Sequence, residues 1–131
     1  MAGYTKLNLT EDVENSAEKF GMGEVLQAHF AREAIEAKKF GLSLQRLKPG
    51  QRMPFGHRHA EQEEVYVVVG GSGRLKVEDD VLDLAQWDAV RVDPELVRNL
   101  EAGPDGLDVI AFGAPGVRDS EQLMNWWTET D

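Results

Sequence analysis

From Arg52 onward the apolar residues come in short bursts separated by turn-forming clusters. The bursts predict strands at 52–59, 64–70, 73–78, 81–84, 87–93, 96–101 and 107–113. Between them lie Ala60–Glu63, Gly70-Gly71-Ser72-Gly73, Glu78-Asp79-Asp80, Asp93-Pro94-Glu95 and Gly103-Pro104-Asp105-Gly106. Further upstream, residues 24–39 are rich in Ala, Glu, Lys and Arg and favour helix by propensity. Against that, Leu26, Ala28 and Phe30, then Phe40, Leu42 and Leu44, alternate as strands do, so strands are expected near 25–32 and 40–48. Pro49-Gly50 is a turn. Helical patterns flank this β-rich middle. Asn8 can cap a helix over 8–20 with Val13, Ala17 and Phe20 on one face, ended by Gly21 and Gly23. Asp119 can cap a second helix, over 119–127, with Gln122 reaching back. Its Leu123, Met124, Trp126 and Trp127 would pack the tail onto its own barrel, with a pocket lid or dimer contact as the alternative. Many short strands in one chain without a linker or repeat imply a single all-β domain, 1–131, built as an antiparallel sandwich or barrel.

Composition narrows the partners. The 131 residues carry 14 basic and 24 acidic side chains, a net charge of −10, which disfavours nucleic-acid backbones and anionic membrane surfaces. Small molecules, metal ions and proteins remain. Without cysteine there is no disulfide, thiolate zinc site or thiol nucleophile. No apolar run nears the roughly 20 residues of a membrane span. The start, Met1 to Lys6, lacks the apolar core of a secretory signal, so a cytoplasmic location is expected.

Candidate chemistry concentrates in His57 to Gly71. His57 and His59 are two apart, so on a strand both project from one face. Glu64 opens the next strand and can bring a carboxylate to the same volume, which is a metal-ligand set. Two surface histidines beside an acidic turn would satisfy the same spacing. His29 stands alone and reads as structural or surface. Ser43, Ser72 and Ser120 lack the context of a nucleophile, and Gly70, Gly71 and Gly73 read as a hairpin rather than a phosphate loop.

The same stretch resembles the first motif of the cupins, in the small single-domain, conserved-barrel form. Two histidines spaced by one residue, a later glutamate and a glycine seven beyond it match His57, His59, Glu64 and Gly71, with Gly73-Arg74-Leu75 in the following hairpin. Gly50 precedes His57 by six intervening residues where five is commoner. The strand order over about 40–113 is cupin-like too. The resemblance implies a jelly-roll barrel, or double-stranded β-helix. It implies one divalent metal (Fe, Mn, Ni or Zn) held by His57, His59 and Glu64, and a homodimer. Glu63 is the weaker carboxylate candidate, and Glu61 and Gln62 read as solvated turn residues.

The second motif departs from the pattern. Aligned on Trp87-Asp88 and Pro94, it puts Arg98 where the family carries a fourth, histidine ligand. Trp87 and Glu95 fall at glycine positions and Ala102 at an asparagine position. A guanidinium is always charged and cannot ligate a metal. Several outcomes follow. A three-ligand metal site with open positions would suit Fe(II) or zinc chemistry on a small oxygenated or sugar-like molecule, of dioxygenase or isomerase type. A decayed site could hold an organic ligand in a non-catalytic binding or sensing module, with Arg98 clamping a carboxylate or phosphate. Metal-free acid–base work by His57 or His59, as in sugar epimerases of this fold, is a further outcome. Alternatively Arg98 points outward to Glu101. Tyr66 could donate a hydrogen bond into the pocket or simply fill the core, and of Gln45 and Arg46 one should face inward by alternation.

Overall fold

The structure, a computed structural model, describes residues 3–131. Met1 and Ala2, the start of the segment read for a secretory signal, lie outside the described residues. Eight strands form: β1 Leu26–Phe30, β2 Gly41–Leu47, β3 Phe55–His59, β4 Glu63–Val77, β5 Asp80–Leu84, β6 Ala89–Val92, β7 Arg98–Ala114 and β8 Ser120–Met124. All pairings are antiparallel.

Two predicted pairs of short strands are each one long strand. Residues 64–70 and 73–78 belong to β4, and 96–101 and 107–113 to β7. β4 and β7 pair from Glu63↔Ala114 to Val77↔Arg98. The expected turns at 70–73 and 103–106 are irregularities within this ladder, with register shifts between Val68 and Gly70 and between Gly71 and Gly73. Gly71 pairs with Leu107 and Gly73 with Ala102, leaving Ser72 opposite residues 103–106. A bulge bends and twists the strands that carry it. Here it passes β4 and β7 from one sheet into the other. One sheet runs β1-β2-β7-β4-β6 and uses the second half of β7 with the first half of β4. The other runs β8-β3-β7-β4-β5 and uses the remaining halves. The result is a jelly roll whose two sheets share their central strands.

The core lies between the sheets. Tyr66, Val68, Leu75, Leu100, Leu107, Val109 and Ala111 are almost fully buried there. Val65, Val67 and Phe112 alternate to the outer face, where Phe112 stays 40% exposed. Trp87, at the position aligned with a glycine, has φ 74, the left-handed backbone that glycine adopts most easily.

Both predicted helices are replaced. Asn8 does cap a turn, its Oδ1 accepting from Thr10 N and Glu11 N, but the turn does not propagate. Asn15 instead bridges to His29 at the edge of β1, and a four-residue 3-10 turn, Ala17–Phe20, follows. Val13 and Ala17 are buried as expected, whereas Phe20 is 65% exposed. One capped turn offsets little of the cost of nucleating a helix, and pairing with β1 offers more. At the other end, 120–124 form β8, laid along β3 from Phe55↔Met124 to His59↔Ser120. Without β8 that edge of β3 would leave its backbone groups unpaired. The tail beyond it packs on its own barrel, as expected. Lys76 Nζ donates to Trp126 O at 2.7 Å and to Asp131 Oδ2, and Arg52 and Arg74 stack on the Trp127 ring.

The bend depends on Gly71, which has φ 70; a Cβ there would lie 2.0 Å from Gly106 O. Gly71→Ala should therefore lower the unfolding free energy by about 3 kcal/mol or more, read by denaturant titration. Gly50→Ala, at φ 72 with nothing within 4 Å of the new Cβ, should cost only about 1 kcal/mol. Equal losses at the two positions would contradict the close approach at the bend.

Candidate metal centre

Strand alternation sets the site. β3 projects His57 and His59 from one face, their rings 5.3 Å apart and nearly perpendicular. β4 projects Glu64 on the same side as the buried Tyr66 and Val68, while Glu63 faces solvent and pairs with Arg91 at 3.1 Å. The register His57↔Arg98 puts Arg98 on the histidines' face. His57, His59, Glu64, Tyr66 and Arg98 thus meet near the end of the barrel, where β3 of one sheet approaches β4 of the other.

The node is Glu64 Oε1. It lies 3.4 Å from His57 Nε2 and 3.1 Å from His59 Nε2, and it accepts from Tyr66 Oη at 2.9 Å and Arg98 Nη2 at 2.7 Å. Arg98 is entirely buried. Its Nε donates to Tyr66 Oη, and its Nη1 faces the carbonyls of Asp93, Pro94 and Leu96 at 2.8 to 3.3 Å. The outward pairing of Arg98 with Glu101 is thereby overturned; Glu101 pairs with Arg52 and Arg74. Tyr66 is a core residue and a site residue at once.

Two neighbours escaped the sequence reading. Asp119 Oδ1 accepts from His59 Nδ1 at 2.8 Å, and its Oδ2 accepts from the backbone N–H of Glu61 and Gln62. Asn99 Nδ2 lies 3.4 Å from His57 Nδ1. Each lies more than 40 positions from its histidine, a distance at which no local pattern signals contact. Gln62, expected in solvent, is buried, with Nε2 donating to Pro115 O at 3.1 Å. Of the pair on β2, Gln45 takes the inward face with Leu47 and donates to Ser43 Oγ at 3.3 Å. Arg46 is exposed and pairs with Asp108. Neither makes a hydrogen bond to the triad. His29 is structural, with Nδ1 2.8 Å from Val13 O.

These surroundings split the two imidazoles. Burial dominates at His57 and pushes its pKa below the ordinary 6.5. At His59 burial acts in the same direction, but Glu64 and Asp119 outweigh it and raise the pKa. Burial would raise the Glu64 carboxyl. Hydrogen bonds from His57 and His59, with the Arg98 charge, hold it far below the usual carboxylate range.

A divalent ion fits this donor set. Two imidazole nitrogens and one carboxylate are a borderline-soft trio suited to Fe, Mn, Ni or Zn. Ligand bonds of about 2.1 Å separate adjacent donors by roughly 3.0 Å at octahedral and 3.4 Å at tetrahedral angles. The two nitrogen–oxygen separations, 3.1 and 3.4 Å, fall within that interval, and all three donors lie within 4.8 Å of one another. Side-chain exposures of 18, 9 and 13% for His57, His59 and Glu64 leave a path from solvent.

No protein-family model and no curated protein matches the chain. Solved structures do. A cupin protein from Bacteroides fragilis matches 98% of this chain and 91% of its own at 19% identity, with a TM-score of 0.69. KdgF from Halomonas sp. matches 90% and 97%, at 17% identity and a TM-score of 0.70. Oxalate decarboxylase from Bacillus subtilis gives a TM-score of 0.77 at 19% identity, with this chain spanning 34% of that longer one. At these identities the likeness shows the fold.

Glu64→Leu should leave Arg98 as an uncompensated buried charge and cost about 3–5 kcal/mol in urea titration at neutral pH. Because the folded carboxyl titrates below its ordinary 4.5, Glu64's contribution is complete above that pH and is lost as pH falls. The gap between wild type and variant should therefore narrow between about pH 5 and pH 3. A gap that stays constant would contradict the network drawn around Oε1.

Proposed function

Taking the chain as a small cupin domain, we propose that it binds one divalent metal ion through His57, His59 and Glu64 and presents it to a small molecule at the barrel mouth. The convergence of both Nε2 atoms on Glu64 Oε1, at spacings that suit adjacent ligands, carries this reading. Bound there, the ion would supply Lewis-acid or redox chemistry, as zinc or Fe(II) does with three protein ligands. The chain's own residues define the rest. Arg98 occupies the fourth-ligand position with a group that cannot ligate, so three protein ligands leave coordination positions for water and substrate. It also holds Glu64 ionised and oriented. One carboxylate then faces a fixed guanidinium and a divalent ion. The centre is net positive inside a chain of net charge −10, which favours anionic or oxygen-rich small molecules over cations. A homodimer is proposed with it on the resemblance alone, and a cytoplasmic location on the lack of cysteine.

Arg98 makes a poor ligand clamp. It has no exposed surface, and its donors are turned to Glu64, Tyr66 and three carbonyls, which removes support for a direct grip on a carboxylate or phosphate. Metal-free acid–base chemistry is the second reading. It is favoured by the opposite displacement of the two imidazole pKa values, a pattern that assigns acid and base roles.

Elemental analysis of untagged protein purified without chelators separates the two. Near-stoichiometric iron, manganese, nickel or zinc is expected, falling to background in the double variant His57→Ala/His59→Ala. Absence of metal after reconstitution would overturn the metal reading in favour of acid–base chemistry. Arg98→His should tighten metal binding, since it restores a donor at the fourth position; unchanged affinity would show that Arg98 does not sit in that place.

A further inference from the structure

The two histidines are held by opposite chemistry on their far sides. Behind His59, Asp119 Oδ1 lies 2.8 Å from Nδ1. The other nitrogen, Nε2, lies 3.1 Å from Glu64 Oε1, and a carboxylate only accepts, so the charged ring donates on both sides. In the neutral ring the single proton goes to the shorter contact, at Nδ1, and Nε2 faces the site with a lone pair. Asp119 is itself fixed, since its Oδ2 takes the N–H groups of Glu61 at 2.6 Å and Gln62 at 3.0 Å. Behind His57, the Asn99 amide nitrogen lies 3.4 Å from Nδ1. Asn99 cannot flip without loss, because Nδ2 also donates to Phe55 O at 2.9 Å and Oδ1 accepts from Leu100 N at 2.9 Å. A donor behind Nδ1 selects a lone pair there, which leaves the proton on Nε2, directed at Glu64.

We propose that Asp119 is a positioning residue that presents His59 as a ready ligand, and that Asn99 holds His57 in the opposite tautomer. The tautomers of the neutral rings follow from the relative lengths and donor types of these contacts; the consequence for metal rests on the function proposed above. Once neutral, His59 needs no change of tautomer to ligate through Nε2. For His57 to do so, its Nε2 proton must leave to solvent and Nδ1 must take one up facing Asn99. Carboxylates behind ligating histidines typically change metal affinity by roughly 10- to 100-fold. Asp119 reaches His59 only because the segment before β8 lies against the end of β3, so the C-terminal strand is part of the site.

Nitrogen-15 correlation spectra of the metal-free wild-type protein, recorded above the titration of both rings, test the tautomers directly. His59 should appear as the Nδ1–H form and His57 as the Nε2–H form. In Asp119→Ala, His59 should lose its preference, and Zn²⁺ affinity from competition titration should fall roughly 10- to 100-fold. Arg58→Ala removes an exposed pair to Glu121 on the same two strands and should change neither readout. The proposal is overturned by an Nε2–H His59 in the wild type. Unchanged Zn²⁺ affinity in Asp119→Ala, or an equal loss in Arg58→Ala, overturns it as well. If the wild type binds no Zn²⁺, the metal reading fails, and the wild-type spectra still decide the role of Asp119.

Discussion

Everything at the mouth of this barrel depends on the buried pairing of Arg98 with Glu64. Two charges withdrawn from water are tolerated only when their remaining donors and acceptors are satisfied. Here the guanidinium is met by Glu64, Tyr66 and the carbonyls of the 93–96 turn. Those partners come from the start of β4 and from the loop between β6 and β7, while Arg98 itself opens β7, so the pair ties together the end of the barrel at which the two sheets approach. It also fixes the orientation of the one carboxylate toward which both imidazoles converge. Arg98 therefore serves the site indirectly: it cannot ligate, but it sets the charge and geometry of a group that can.

That arrangement needs β4 and β7 to serve two sheets at once. Glu64 belongs to the first half of β4 and Arg98 to the first half of β7, and these halves lie in different sheets. Only the bend at Gly71, Ser72 and Gly106 lets the same two strands cross between sheets and close the interior. The glycines that look like hairpin punctuation in the sequence are a corner within a continuous ladder. A turn and a bulge need the same left-handed backbone, so residue type alone does not separate them.

The C-terminal segment shows the converse. An Asp followed by Gln and apolar residues is a reasonable helix start, yet β3 offers a free edge, and a backbone ladder replaces the local preference. Asp119 still caps backbone N–H groups, those of the loop at Glu61 and Gln62 rather than of its own helix. The capping chemistry was legible; its recipient was not. Trp126 and Trp127 pack on the barrel as their size suggests, held by Lys76, Arg52 and Arg74.

The sequence by itself determined a good deal. Period-two alternation and turn chemistry made the chain an all-β sandwich or barrel, and the resemblance of His57 to Gly71 to a cupin motif narrowed that to a jelly roll. Strand parity placed His57 and His59 on one face of their strand and Glu64 on the face of Tyr66 and Val68, with Glu63 turned away. These are local properties, carried by the alternation of successive Cβ directions. Tertiary structure decided what lies across a sheet or at the far end of the chain. The register with β3 turned Arg98 inward rather than toward Glu101, and the fold brought Asn99 behind His57. β8 became a strand, so that Asp119 came to stand behind His59. Each is a contact between residues more than 30 positions apart, set by the pairing of long strands and the satisfaction of buried polar groups, which no local pattern encodes.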